Sequence, residues 1–406
     1  MKVDAVAILQ YLSIPVIAGV VGWGTNLVAI KMTFWPVEFV GIRPIFGWQG
    51  IIPKKSEKMA RITVDNSLSK LASLTEIYQQ VGPAEIAWHV CEVLEPRVEE
   101  YVDTIMLDTN RVVWENLPPL MKRRIYRRIR RDMPQLVEKA VRNFGEHVDD
   151  LVDLEDMVIT EMGKDKRMVN MMFIEVGEPE FKFVIRSGFY FGVLFGLIQM
   201  AVWYLYPAAW LLPVFGFAVG WLTNWIALNL IFRPLEPRKI GPFTLHGLFL
   251  ARQKQAAETF SKLTTDKFIT VQNIAKATFT GPHSDLARLY LRKEVTEMID
   301  NSGMLGVAVR VAVGPAGYAE LKKNTTRHFF EGALRTFDDP SFKTARRDAL
   351  QSLMRERMMD LSSAEFQDLL RPAFQEDEWQ LILLGGVLGL GAGFLQLFLV
   401  FGGGAG

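Results

Sequence analysis

The stretch Gly22-Trp23-Gly24-Thr25-Asn26-Leu27-Val28-Ala29-Ile30-Lys31-Met32-Thr33-Phe34-Trp35-Pro36-Val37-Glu38 decides the fold, because it returns later in the chain. The second copy reads Gly220-Trp221-Leu222-Thr223-Asn224-Trp225-Ile226-Ala227-Leu228-Asn229-Leu230-Ile231-Phe232-Arg233-Pro234-Leu235-Glu236. Gly, Trp, Thr, Asn, Ala, Phe, Pro and Glu recur at a constant offset of 198. Identities this dense, with a Trp among them, mark an internal duplication.

Each copy lies in an apolar run. Residues 5–34 are interrupted by Gln10, Thr25, Asn26 and Lys31. A spanning helix needs about 20 apolar residues, so the run is long enough to cross a bilayer with some tilt. A cleaved signal peptide is the alternative. Asp4 spoils a basic leader, the run is too long, and the same pattern recurs internally after residue 207. Three further spans are expected at 187–206, 208–232 and 379–401. The second and fourth match each other: Gly188, Gly192, Gly196 and Gln199 return as Gly385, Gly389, Gly393 and Gln396, at an offset of 197.

Each repeat therefore reads as span, soluble helical region, span. Repeat 1 covers 1–206, with spans at 5–34 and 187–206 around a soluble region at 35–186. Repeat 2 covers 207–406, with spans at 208–232 and 379–401 around a soluble region at 233–378. Two spans per repeat is an even number, so both repeats face the same way and any pseudo-two-fold axis runs along the membrane normal. In the soluble regions apolar residues fall at helical spacing, as in Met59, Ile62, Leu68, Leu71, Leu74 and Tyr78. Gly82-Pro83, Pro118-Pro119 and Gly281-Pro282 break the pattern. Ser362 and Glu365 have the spacing of a capping box for a helix carrying Phe366, Leu369 and Leu370. Strand-like alternation is nearly absent, so the fold class is all-α: a polytopic membrane protein with four transmembrane helices in two parallel repeats, each with a soluble helical bundle.

Composition agrees with a mixed protein. Of 406 residues, half are apolar and 22% are charged, and mean hydropathy is +0.14. Net charge is +1, so no global field recruits nucleic acid. The single cysteine, Cys91, excludes an intramolecular disulfide and a cysteine-based zinc site. The five histidines have no ligand spacing, and the chain lacks HExxH, P-loop, GxSxG and CxxC motifs. We therefore expect no catalytic residue, no metal, no cofactor and no enzyme activity.

Three groups of residues stand out. Thr25, Asn26, Thr223 and Asn224, with Gln199 and Gln396, are polar side chains inside spans. Buried amides need partners in hydrocarbon, so they either bond between helices (Asn26 with Asn224, or with the glutamines) or line a polar path. Gly188, Gly192 and Gly196, like Gly385, Gly389 and Gly393, share one helix face and suit close backbone packing in lipid. Lys31 has Asn229 as its counterpart and is expected to snorkel to the interface. The third group is Lys122, Arg123, Arg124, Arg127, Arg128, Arg130 and Arg131, seven cations in ten residues with Ile125 and Ile129 between them. On a helix they suit anionic lipid head groups. The alternative is a solvated face paired with the acidic run Glu146, Asp149, Asp150, Asp153, Glu155 and Asp156.

Basic residues at the soluble ends of the spans are Arg43, Lys54, Lys55 and Lys58; Lys182 and Arg186; and Arg233, Arg238 and Lys239, against Lys2 on the other side. The positive-inside rule puts the soluble regions in the cytoplasm and both termini outside.

With these repeats the chain resembles the DUF445 family of prokaryotic membrane proteins, which includes the YheB and YjiN proteins. The resemblance rests on the G-W-x-T-N-x-x-A…F-x-P motif at Gly22 and Gly220. It also rests on Glu180-Phe-Lys-Phe-Val-Ile-Arg-x-x-Gly188 with Gln199, and on Phe366-Gln-Asp-Leu-Leu-Arg-Pro-Ala-Phe-Gln-Glu-Asp-Glu-Trp379 with Gln396. It implies a cell-membrane protein and supplies no catalytic or ligand residues. The expected role is a non-enzymatic scaffold or lipid-interacting protein of the envelope, with membrane lipids and other proteins as partners. The competing role is a transporter or lipid-translocating protein, for which four spans per chain imply a homodimer.

Overall fold

The computed structural model describes residues 5–42, 46–64, 71–337, 340–375 and 378–400. Lys2, Arg43, Leu68, Glu376, Asp377 and the glycine tail lie outside the described residues, as do the side chains of Ile62, Leu369 and Leu370.

Among the described residues, four helices are long and apolar enough to cross a membrane: Leu9–Phe34, Lys166–Leu205, Leu211–Phe232 and Glu378–Val400. The third, of 22 residues, extends about 33 Å at 1.5 Å per residue, the thickness of a hydrocarbon core. Their outer faces are apolar. Leu9, Leu12, Val16, Val20 and Trp23 form one exposed stripe on the first helix, and Leu383, Val387, Phe394, Leu395 and Phe398 are exposed on the fourth. Stripes of that size belong in lipid rather than water. The chain is thus a four-span, all-α membrane protein.

The second span differs from its expectation at 187–206. It is the end of one 40-residue helix, Lys166–Leu205, which passes through Pro179. Asp165 opens the helix, its carboxylate accepting from the Arg167 amide at 2.8 Å. An apolar-run criterion marks where lipid begins, not where the helix does.

The chain divides into two compact units that cut across the repeats. One comprises residues 1–67, 162–260 and 358–406, and the other 68–161 and 261–357. In the first unit the spans are joined to short juxtamembrane elements that the sequence pattern did not disclose. After the first span, Val40–Ile42 pairs antiparallel with Phe46–Trp48, and after the third, Arg238–Ile240 pairs with Phe243–Leu245. Three-residue strands are too short for alternation to register. Each hairpin returns to the span end that precedes it. The Gly50 amide donates to Pro36 O and the Gly247 amide to Pro234 O. A Cβ on either glycine would lie within 3.0 Å of that span's last backbone atoms. The capping box forms as expected: the Ser362 amide donates to Glu365 (2.9 Å), and the Glu365 amide to the Ser362 hydroxyl (3.3 Å).

The second unit is helical among its described residues. Gly82, at φ +86°, and Pro83 open one helix, Pro119 opens the basic helix Pro119–Glu146, and Gly281 closes Val271–Thr280. The expected breaks therefore fall at helix ends. Both repeats contribute to this one unit. Arg327 pairs with Asp108 (2.9 Å), Lys139 with the buried Glu294 (2.9 Å), and Arg357 with Glu76 (2.7 Å). The sequence boundary at 206/207 thus separates repeats, while the packed bodies are assembled from both.

Candidate functional site

The intramembrane polar residues sit where the helices of each repeat cross. The first and second spans run antiparallel, and the Asn26 amide donates to Val184 O at 2.6 Å. The third and fourth repeat this: Asn224 donates to Leu381 O at 2.7 Å. Both asparagines are fully buried. The structure therefore forms neither expected pairing, Asn26 with Asn224 or asparagine with glutamine. A backbone carbonyl on the partner helix takes the proton instead. Thr25 and Thr223 return their hydroxyls to Gly22 O and Gly220 O on their own helices, so they satisfy themselves.

Glycines create the space for these hooks. A Cβ on Gly188 would sit 2.6 Å from Asn26 Nδ2, and one on Gly385 would sit 2.2 Å from Asn224 Nδ2. The seams continue along both helix pairs. Gly22 and Gly188 face each other so closely that a Cβ on either would meet the other's carbonyl oxygen at 2.3–2.4 Å. Gly220 with Gly385, and Gly216 with Gly389, do the same. Gly192 packs on Ala18, Gly196 on Pro15, and Gly393 on Leu212 and Pro213. The predicted glycine faces thus meet glycines, alanine and proline on the first and third spans. Sequence reasoning passed over Gly19, Gly22, Gly216 and Gly220 as seam residues, although two of them head the repeated motif.

Gln199 and Gln396 occupy a different level. Gln199 lies eleven residues beyond Gly188, about 16 Å along the helix. Both glutamines are buried, and their Nε2 atoms have no hydrogen-bond partner among the described residues. The same holds for the Oδ1 atoms of Asn26 and Asn224.

Two further interactions were not anticipated. Asn170 donates to Phe34 O (2.9 Å) and, in its satisfied orientation, Gln367 donates to Phe232 O (2.9 Å). A side-chain amide thus covers the last carbonyl of each incoming span, one of the orphan acceptors at a helix end. Glu180, buried on the long helix, receives both arms of Arg252, at 2.9 and 2.6 Å. This bidentate pair ties repeat 1 to repeat 2. The sequence signals were its place at the head of the Glu180…Gly188 motif and a carboxylate close ahead of an apolar run.

The basic cluster lies on Pro119–Glu146. The inner face of the helix is set by buried Ile125 and Tyr126. Tyr126 donates to Asp103, which also accepts from Trp114 Nε1 at 3.1 Å. Burial, with that hydrogen bond, pushes the Tyr126 phenol well above its ordinary value. Four of the seven cations have partners. Lys122 lies over the Trp114 ring (5.1 Å), Arg130 pairs with Glu99 (2.9 Å), and Arg128 and Arg131 share Asp132. Arg123, Arg124 and Arg127 are exposed and show no ion pair among the described residues. The acidic run 146–156 supplies none of these partners, because Asp132 lies within one turn on the same helix and Glu99 on a neighbouring one. Asp153 instead accepts from the Asp156 amide, and Asp149 accepts from Thr75. No group of three or more potential metal ligands forms among the described residues.

A four-span helical membrane protein with glycine seams is the class defined by these observations. No family model matches the chain, and no solved structure matches it. It is similar to the UPF0754 membrane protein GK0639 of Geobacillus kaustophilus, 29% identical over 119 residues, covering 26% of this chain and 31% of that protein. It is likewise similar to the UPF0754 membrane protein alr5253 of Nostoc, 26% identical over 126 residues, covering 28% and 30%. The match spans about a third of the length of these relatives.

Proposed function

We propose that this chain is a non-enzymatic, lipid-interacting protein of the cytoplasmic membrane. Its spans act as an anchor and its basic helix engages anionic head groups. The observation that carries this reading is the exposed trio Arg123, Arg124 and Arg127, which lack ion-pair partners among the described residues. The same chain is built to sit in a bilayer. Each cation near an anionic surface contributes about 1 kcal/mol, so three support recruitment of roughly 100-fold. The reading includes the soluble unit on the cytoplasmic side, both termini outside, and a finer kinship with the DUF445 group through the repeated G-W-x-T-N motif. The test is co-flotation of the full chain in peptidiscs with liposomes of defined charge. Binding that rises with anionic lipid and falls at high salt is expected, with loss in the Arg123→Glu, Arg124→Glu, Arg127→Glu variant. Equal binding to zwitterionic and anionic vesicles would remove the head-group role.

A second reading, a transporter or lipid-translocating dimer, is favoured by one observation. Four buried amide atoms, on Asn26, Asn224, Gln199 and Gln396, lack partners at two depths of the spans. Unchanged flux in an Asn26→Leu, Asn224→Leu double variant would count against it.

A further inference from the structure

The 68–161/261–357 unit contains a space of about 190 Å³ among the helices Val98–Glu115, Pro119–Glu146, Ser284–Asp300 and Met304–Thr336. Protein interiors pack to crystal density, and an apolar space of about 150 Å³ already accepts a benzene ring. The wall is apolar: Val102, Ile105, Ile125, Met133, Leu136 and Phe329 are among its residues. Arg128 and Asp132 belong to its lining, and their side chains, 40% and 29% exposed, mark the mouth. Two guanidiniums, Arg128 and Arg131, share the one Asp132 carboxylate. The mouth therefore keeps positive charge, and Arg124 and Arg127 on the same helix add theirs.

One wall of this space is unusual. Met304–Val313 is a helical segment set between Gly303 (φ +64°) and Gly314 (φ +71°), with Pro315 following. Both glycines adopt the left-handed conformation open to glycine, and a Cβ at either would touch nothing, so the segment hangs on two uncrowded joints. Gly306 and Val309 line the cavity. The opposite face is also apolar: Met304, Val307 and Val311 are 92%, 64% and 79% exposed. Arg310 is its one charged residue. A helix apolar on both sides is not a solvated surface element. It suits a segment that meets hydrocarbon on one side and an acyl chain on the other.

We propose that this cavity holds one segment of the acyl chain of an anionic monoacyl lipid, that the head group lies at Arg128 and its neighbours, and that Met304–Val313 is the gate. The inference rests on the lipid-interacting reading above and gives it a site. An apolar interior with a cationic rim recognises this chemistry, and a free fatty acid and a lysophospholipid both carry it.

The test is photolabelling of the full chain in nanodiscs with a diazirine palmitate and, in parallel, a diazirine lysophosphatidylglycerol, with adducts mapped by peptide mass spectrometry. Adducts within 94–136 and 298–329 are expected, falling at least fivefold in Val309→Trp, which fills the gate side. Labelling of the spans should stay unchanged. Ile129→Phe, filling the opposite wall, serves if Val309→Trp does not fold. Labelling by palmitate alone identifies a fatty-acid site, and labelling by the lysolipid alone a phospholipid one. Adducts confined to the spans, or cavity adducts untouched by both fillings, overturn the proposal. A protein that keeps its anionic preference in flotation while failing here retains surface binding without the cavity site. One that loses flotation selectivity fails at the earlier step.

Discussion

The membrane-spanning unit and the helical unit carry the same duplication but keep it to different degrees. In the spans, almost every device exists twice. Asn26 on Val184 is matched by Asn224 on Leu381, Gly22–Gly188 by Gly220–Gly385, Pro15 by Pro213, and Asn170 on Phe34 by Gln367 on Phe232. In the helical unit the halves have diverged. Arg123, Arg124 and Arg127 show no ion pair among the described residues, whereas the corresponding segment of repeat 2 has its cations paired. Lys322 lies on Asp300, Lys323 on Glu320, and Arg327 on Asp108. The uncrowded glycine joints around Met304–Val313 belong to repeat 2. Hydrocarbon offers the backbone no alternative partners, so the same solution serves both halves. The four candidate spans all lie in the other unit, so no such constraint keeps the halves of the helical unit alike, and divergence can accumulate there.

The sharpest way to break this comparison is to attack one seam. Gly22→Leu and Gly220→Leu each force a side chain into a carbonyl 2.1–2.3 Å from the ideal Cβ. Both should abolish the monodisperse peak in fluorescence-detected size exclusion. If only one did, the two seams would not be equivalent. Next in size is Glu180→Ala, which leaves Arg252, a quarter exposed, without its carboxylate. Stranding one partner of a buried pair costs on the order of 3 kcal/mol. A thermal shift of several degrees is expected, and a double change with Arg252→Ala should recover part of it. A smaller loss of about 1 kcal/mol is expected for Asn26→Leu or Asn224→Leu, the scale of an interhelical hydrogen bond in a bilayer, read as the midpoint in a steric-trapping assay. The two values should agree, since the geometry is duplicated.

The smallest effect is a pH dependence confined to the helical unit. The hydrogen bond from Lys322, with the Tyr318 hydroxyl, holds the Asp300 carboxyl below the usual carboxylate value. A lowered folded-state pKa contributes stability that is present above the unfolded value, about 3.9, and fades as pH falls through the lowered one. Amide-exchange protection factors across 296–322 should therefore fall below pH 4 and stay flat between pH 5 and 8, with the fall reduced in Asp300→Asn and the remainder supplied by Glu297, which Lys139 holds low.

The spans and glycine faces were legible because motif identity and period survive in the letters themselves. What those letters bond to was not. Asn26 and Asn224 choose backbone carbonyls, which have no residue code, and the glycine faces chose partners on helices 166 residues away in sequence for Gly22 and Gly188. The hairpins at 40–48 and 238–245 were hidden by three-residue strands. The basic cluster was plain, but its solvated-face alternative named the distant acidic run as partner, where the structure has Asp132 and Glu99. Ten residues at 304–313, apolar but for Arg310, are too short for a span and carry no motif, so nothing in them pointed to a cavity wall.

Because the compact units cut across the repeats, the chain passes between them at residues 67/68, 161/162, 260/261 and 357/358. During synthesis the helices of 68–161 emerge long before 261–357 exist. At 5–20 residues per second the wait from 161 to 357 is roughly 10–40 s. For that interval Val102, Met133 and Leu136 face water or a chaperone, while the second and third spans must already be entering the bilayer. Expressing residues 1–206 alone would make that unpaired state permanent.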